Sequence, residues 1–94
     1  MFSAGIGGSN EIQLIGRFDA SQVTAAREVL DRITGSSTID FAKLDYISSA
    51  GMGVLLATQK RLGDSGQKLI LINLSKHIRD IFGYAGFDKV FEIR

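Results

Sequence analysis

The hydrophobic positions along this chain change period several times, and each change marks an element. Phe2, Ala4 and Ile6 alternate with small residues, which suits a short edge strand, although Gly5 weakens it. Gly7-Gly8-Ser9-Asn10 is a turn signal. Residues 11–15 (EIQLI) alternate again, with Ile12 and Leu14 on one face, and read as a strand ending at Gly16. The period then becomes helical, because Val23, Ala26, Leu30 and Ile33 recur at spacings of three and four. Asp19 or Ser21 is placed to cap this helix and Gly35 to close it. Residues 37–41 read as a short strand, and residues 50–62 as a helix with Leu55, Leu56, Gln59 and Leu62 near one face. Asp64-Ser65-Gly66 is a turn. Residues 68–73 (KLILIN) form the strongest strand. Their unbroken apolar run predicts burial of Leu69, Ile70, Leu71 and Ile72 and a central place in the sheet. Ser75 caps a short helix to Gly83 with Ile78, Ile81 and Phe82 inward, and Gly86-Phe87 turns the chain into a last strand, residues 89–93.

Helices that alternate with strands imply parallel pairing through right-handed crossovers. The first two strands, joined by a tight turn, are expected to be antiparallel. The fold class is therefore α/β. The expectation is a mixed sheet of four or five strands, the N-terminal strand at an edge, with helices packed mainly on one face. The 94 residues are enough for one domain with a modest core, and no proline-bearing linker divides them.

Composition narrows the chemistry. The net charge is +1, from 11 basic and 10 acidic residues, with no basic block, so nothing points to nucleic acid as a partner. Cysteine is absent, which removes disulfides, thiolate metal sites and thiol catalysis. His77 is the one histidine, so a histidine-based metal site is not expected. No apolar run reaches membrane-spanning length and the N-terminus lacks a signal pattern, so the expectation is a cytoplasmic protein that does not engage a membrane.

The informative stretch is residues 44–56, LDYISSAGMGVLL. A β-like approach (Leu44, Tyr46, Ile47) meets two serines, then small residues, then a helical apolar run. This is a loop entering a helix N-terminus, where a hydroxyl satisfies free backbone N–H groups. The same place tolerates an anion, because those N–H groups and the helix dipole point at it. A serine here is therefore either a plain cap or a phosphate acceptor. Gly51 and Gly53 have two readings as well. Without side chains they let another protein approach the backbone, or they allow tight packing within the fold.

Other constellations carry less. Asp19, in GRFDAS, is placed either to cap the first helix or to join a recognition surface beside the serine loop. Asp40 and Asp45 could be a carboxylate pair, but no nucleotide cradle accompanies them. Gly51-x-Gly53 lacks the third glycine of a dinucleotide fingerprint, and Ser48 and Ser49 with a distant His77 make a poor triad. The aromatics Phe82, Tyr84, Phe87 and Phe91 read as core.

Three segments together resemble the STAS domain family of bacterial anti-sigma factor antagonists: GRFDAS, DYISSAGMGVLL and KLILINLSKHIRDIFGYAGFDKVFEI. The resemblance covers nearly the whole chain. The family pattern Asp-Ser/Thr-Ser/Thr-Gly, laid on Ser48-Ser49-Ala50-Gly51, makes Ser49 the phosphoacceptor. Ser48 stands where the family has Asp, and Ala50 where it has a second hydroxyl residue. The resemblance implies a regulatory module that is not an enzyme and needs no cofactor or metal. Its implied partners are an anti-sigma factor with serine-kinase activity, which binds the unmodified domain and so frees a sigma factor, and a serine phosphatase, which reverses phosphorylation. Asp19, Ser48, Ser49, Gly51, Met52 and Gly53 are then expected to form one partner-binding patch, with Met52 as an adaptable apolar contact. The alternative within the same family is a constitutive scaffold or transporter-complex subunit that is never phosphorylated.

Overall fold

Strand β1 (Phe2–Ile6) pairs antiparallel with β2 (Ile12–Phe18) in unbroken register, Phe2 opposite Gly16 and Ile6 opposite Ile12. The computed structural model describes residues 2–6 and 11–94, so the turn expected over 7–10 lies outside the described residues. After β2 come a 3-10 turn (Ala20–Gln22) and α1 (Val23–Leu30), then β3 (Ser37–Ile47), α2 (Ser49–Gly63), β4 (Leu69–Ile72), α3 (Lys76–Tyr84), a second 3-10 turn (Phe87–Lys89) and β5 (Glu92–Ile93). The pairs β2–β3, β3–β4 and β4–β5 are parallel, and the sheet order is β1-β2-β3-β4-β5. The expected mixed sheet is present, with five strands and β1 at an edge.

One layer of helices explains the burial. Ile12, Leu14 and Phe18 of β2, Ile39, Phe41, Leu44 and Ile47 of β3, and Leu69 and Leu71 of β4 share one apolar cluster with Ala26 and Leu30 of α1, Leu55 and Leu62 of α2, and Ile78 and Phe82 of α3. Ile70 and Ile72 point the other way and are half-buried, which corrects the expectation of burial on both faces. The middle strand is β3, not KLILIN, and β4 stands second from the far edge.

The longest strand, β3, was expected to end at Phe41 and instead continues to Ile47. Its register against β2 slips twice. Gln13 faces Asp40 and Ile15 faces Lys43, then Gly16 faces Leu44 and Arg17 faces Tyr46. At each slip β3 carries one residue more than β2, which is a β-bulge that bends the strand. Helix α1 also differs, ending at Leu30 rather than near Gly35. The reason is a side chain from elsewhere: the Arg61 guanidinium on α2 donates to the carbonyls of Leu30 (3.0 Å) and Ile33 (2.8 Å). It satisfies two carbonyls that have no N–H four residues on once the helix has ended. At the C-terminus, the expected turn at Phe87 is a 3-10 turn that runs on to Lys89, where the last strand was expected to begin, and only Glu92–Ile93 pairs with β4.

Candidate functional site

The register of β2 against β3 builds the site. Phe18 is paired with Ile47, and the Ser48 N–H donates to the Phe18 carbonyl at 2.9 Å. The residues that follow the two strands, Asp19 and Ser48, are therefore brought to the same end of the sheet, and each starts a helical segment. Ser48 is in extended conformation (φ −90°, ψ 172°), and its Oγ accepts from the Gly51 N–H at 3.2 Å. It is the N-cap of α2. The Ser48 carbonyl takes the Met52 N–H at 2.9 Å, which closes the first turn.

Ser49 is the first helical residue and is exposed, as is Ala50. The cap bond is made by Ser48, so the Ser49 hydroxyl is left without a partner among the described residues. No acidic side chain stands in the first turn of α2. The adjoining serines thus divide the two uses of a hydroxyl at a helix start. One is spent on the backbone and the other faces solvent.

Asp19 makes the corresponding cap on the preceding turn. Its Oδ1 accepts from the Ser21 N–H (3.0 Å) and the Ser21 hydroxyl (2.6 Å). These bonds favour the ionised form, and with the Arg17 charge in support they hold the carboxyl below the usual aspartate range. Arg17 itself lies over the Tyr46 ring, 4.2 Å from its centroid, on the face of the sheet away from the helices.

The expected patch needs correcting at two positions. Gly51 is buried, and a Cβ there would lie 2.9 Å from the Phe18 carbonyl oxygen and 3.0 Å from Ile47 Cγ1. It is the packing glycine, where α2 comes down on β2. Met52 is 9% exposed and belongs to the core, so it does not present its side chain as an adaptable outer contact. Gly53 is exposed, with nothing within 4 Å of where its Cβ would stand. The outward surface is therefore Ser48 in part, Ser49, Ala50 and Gly53, with Asp19 at the neighbouring strand end. The residue that sequence reasoning missed is Phe18. Its carbonyl fixes Ser48 and its backbone sets the steric limit on Gly51. Its place directly before Asp19 was visible, but the register that sets it against the serine loop was not.

Asp40 and Asp45 do not form a carboxylate pair. Asp40 accepts from the Ala42 N–H (2.9 Å) and from Asn73 Nδ2 (3.1 Å), while Asp45 is the exposed extra residue of the second bulge. Among the described residues no group of histidine, aspartate or glutamate side chains could hold a metal ion, and no helix is long and apolar enough to cross a membrane.

Known proteins resemble this chain in sequence and in fold. The family model described as "Mlab, STAS domain" matches residues 6–93. Over 55 residues the chain is 40% identical to a Bordetella bronchiseptica protein assigned as the anti-sigma factor antagonist BtrV, a match that spans 58% of this chain and 47% of that relative. It is 24% identical over 87 residues to the anti-sigma-B factor antagonist of Staphylococcus epidermidis, covering 88% of this chain and 81% of the relative. Among solved structures, a Thermotoga maritima protein assigned as an anti-sigma factor antagonist superposes with a TM-score of 0.78 at 15% identity, covering 99% of this chain and 85% of that one. The phosphorylated form of the Bacillus cell fate determinant SpoIIAA superposes with a TM-score of 0.69 at 20% identity, covering 100% of this chain and 91% of that one. At these identities the structural likeness speaks for the fold.

Proposed function

The chain belongs to the STAS domain family, and on that premise we propose that it is a non-catalytic anti-sigma factor antagonist. In this reading it binds a serine-kinase anti-sigma factor while unmodified, and phosphorylation of Ser49 ends the binding. The observation that carries the reading is the division of labour between the serines. Ser48 makes the cap, while Ser49 is exposed with its hydroxyl uncommitted among the described residues. The relatives' assignment as anti-sigma factor antagonists and the phosphorylated state named for SpoIIAA support it.

A phosphoserine carries about −1.5 to −2 charges at neutral pH. At the first position of α2, with no acid in that turn, the charge is compatible with the helix dipole, so the fold survives modification. The loss of binding then arises at the interface, through bulk, desolvation and repulsion. A loss of about 3–4 kcal/mol there weakens association several hundred-fold.

The test is incubation with a cognate serine kinase and ATP, read by intact mass and peptide mapping. One phosphate on Ser49, and none on a folded Ser49→Ala variant that still binds the kinase, is the expected result. Modification mapped to Ser48 or Ser75 overturns the assignment. The second reading, a constitutive subunit that is never phosphorylated, draws on Ser48, which supplies a cap but not the charge of the family's usual aspartate. A chain that forms its complex with or without kinase, and takes up no phosphate, decides for that reading.

A further inference from the structure

The two edges of the sheet are built differently. At the β5 edge the strand has only two residues, and Glu92 is held between Lys68 and Arg94 in ion pairs. A short, charged edge resists pairing with another chain. At the other edge, β1 has five residues, FSAGI, with no charge, no proline and no bulge in its register with β2. Among the described residues no strand lies beside its outer side. Ile6 is 74% exposed at the mouth of an apolar groove of about 320 Å³ lined by Gly5, Ile12, Val29, Arg32 and Ile33. The open edge and the end of α1 thus form one surface.

Charge identifies what fits it. At the C-terminal end of α1, Arg27 and Glu28 on its last turn are exposed, as are Asp31 and Arg32 in the turn that follows it, where the Asp31 N–H bonds the Arg27 carbonyl and the Arg32 N–H that of Val29. Glu28 with Arg32, and Arg27 with Asp31, thus make two pairs of opposite charge four residues apart, each along one stripe. Among the described residues none of these four is engaged in an ion pair. Each stripe is complementary to itself reversed, since an antiparallel copy sets Glu28 against Arg32 and Arg32 against Glu28. Antiparallel pairing of β1 with a second β1 requires a two-fold axis normal to the sheet. That axis keeps all helices on one face and lays the two α1 helices side by side, antiparallel. We infer that this surface takes a second copy of the chain, through β1–β1 pairing with the α1 stripes in register. The inference stands apart from the reading of Ser49. A five-residue strand is about 17 Å long and falls short of the roughly 800 Å² per partner of a standard interface, so the α1 stripes must contribute and the dimer is weak.

Analytical ultracentrifugation of the intact chain over a wide concentration range tests this. The expected result is a monomer–dimer equilibrium that weakens as salt rises from about 0.05 M to about 0.5 M. Ile6→Lys places a charge at the exposed edge and abolishes dimerisation. Glu28→Arg and Arg32→Glu each weaken self-association about tenfold by setting like charges face to face. Their double swap restores it, and mixing the two single variants gives a heterodimer. A chain that stays monomeric at every concentration overturns the inference, as does a double swap no tighter than the single variants. Hydrogen exchange of the unaltered chain guards against misfolded variants. The β1 amides slow with rising concentration if the pairing forms, and exchange at one rate throughout if it does not.

Discussion

The first turn of α2 has an inner and an outer side, and its two glycines separate them. Gly51 has no room for even a methyl group beneath it, because the Phe18 backbone stands 2.9 Å from the Cβ position. Gly53, two residues on, has open space within 4 Å. One glycine fixes how closely the helix sits on the sheet, and the other leaves its surface bare. The difference shows that glycine-rich sequence at a helix start does not describe a single property. The inner half is architecture and the outer half is what a partner meets.

The largest effect that can break this contrast is at Gly51. Gly51→Val drives two methyl groups toward a backbone carbonyl that cannot yield, and a loss of about 3 kcal/mol is expected in denaturant unfolding. A Gly51→Val chain of unchanged stability would mean that α2 lifts freely from β2. Ser48→Ala comes next. Removing the cap leaves the Gly51 N–H without its acceptor and costs about 1 kcal/mol, while Ser48→Asp keeps the bond and melts no lower than the natural chain. At Gly53 the sign reverses. With no steric conflict, Gly53→Ala gains helix propensity and stabilises the fold by somewhat under about 1 kcal/mol. A thermal melt separates this rise from the fall at Gly51.

The smallest effect compares the two caps by pH. The Asp19 carboxyl has its pKa lowered in the folded chain by the Ser21 bonds. Its contribution is therefore present above the unfolded value of about 4 and is lost as pH falls through the lower folded value. The Ser48 cap does not titrate. Acid unfolding of Asp19→Asn is expected to be slightly shallower than that of the natural chain, and Ser48→Ala is expected to keep the natural slope.

Much of this was legible in the residues, for reasons that can be named. Local signals gave the order of elements, the antiparallel start and the serine loop, because turn chemistry and capping act over a few residues. What they missed was set by contacts far apart in the chain. In β3 the inward residues are Ile39, Phe41, Leu44 and Ile47, at spacings of two, three and three, because each bulge adds a residue. That pattern no longer reads as a strand. The end of α1 depends on Arg61, about thirty residues later in the chain. The KLILIN run looked doubly buried because apolar residues fill both of its faces, yet only the helix-facing side of the sheet is covered. Gly51 and Gly53 could not be told apart without knowing that Phe18 lies under one of them.

The order of strands in the sheet is the order of strands in the chain. This bears on how the protein is made. A chain synthesised from its N-terminus finds, as each strand is completed, its neighbour already laid down, and no later strand has to be threaded between two earlier ones. The sheet lengthens at one side only. The pairing that carries Asp19 and Ser48 belongs to β2 and β3, and α2 follows directly. The elements of the site have therefore all left the ribosome before β4, α3 and β5, and the last third of the chain adds to a framework that already holds them.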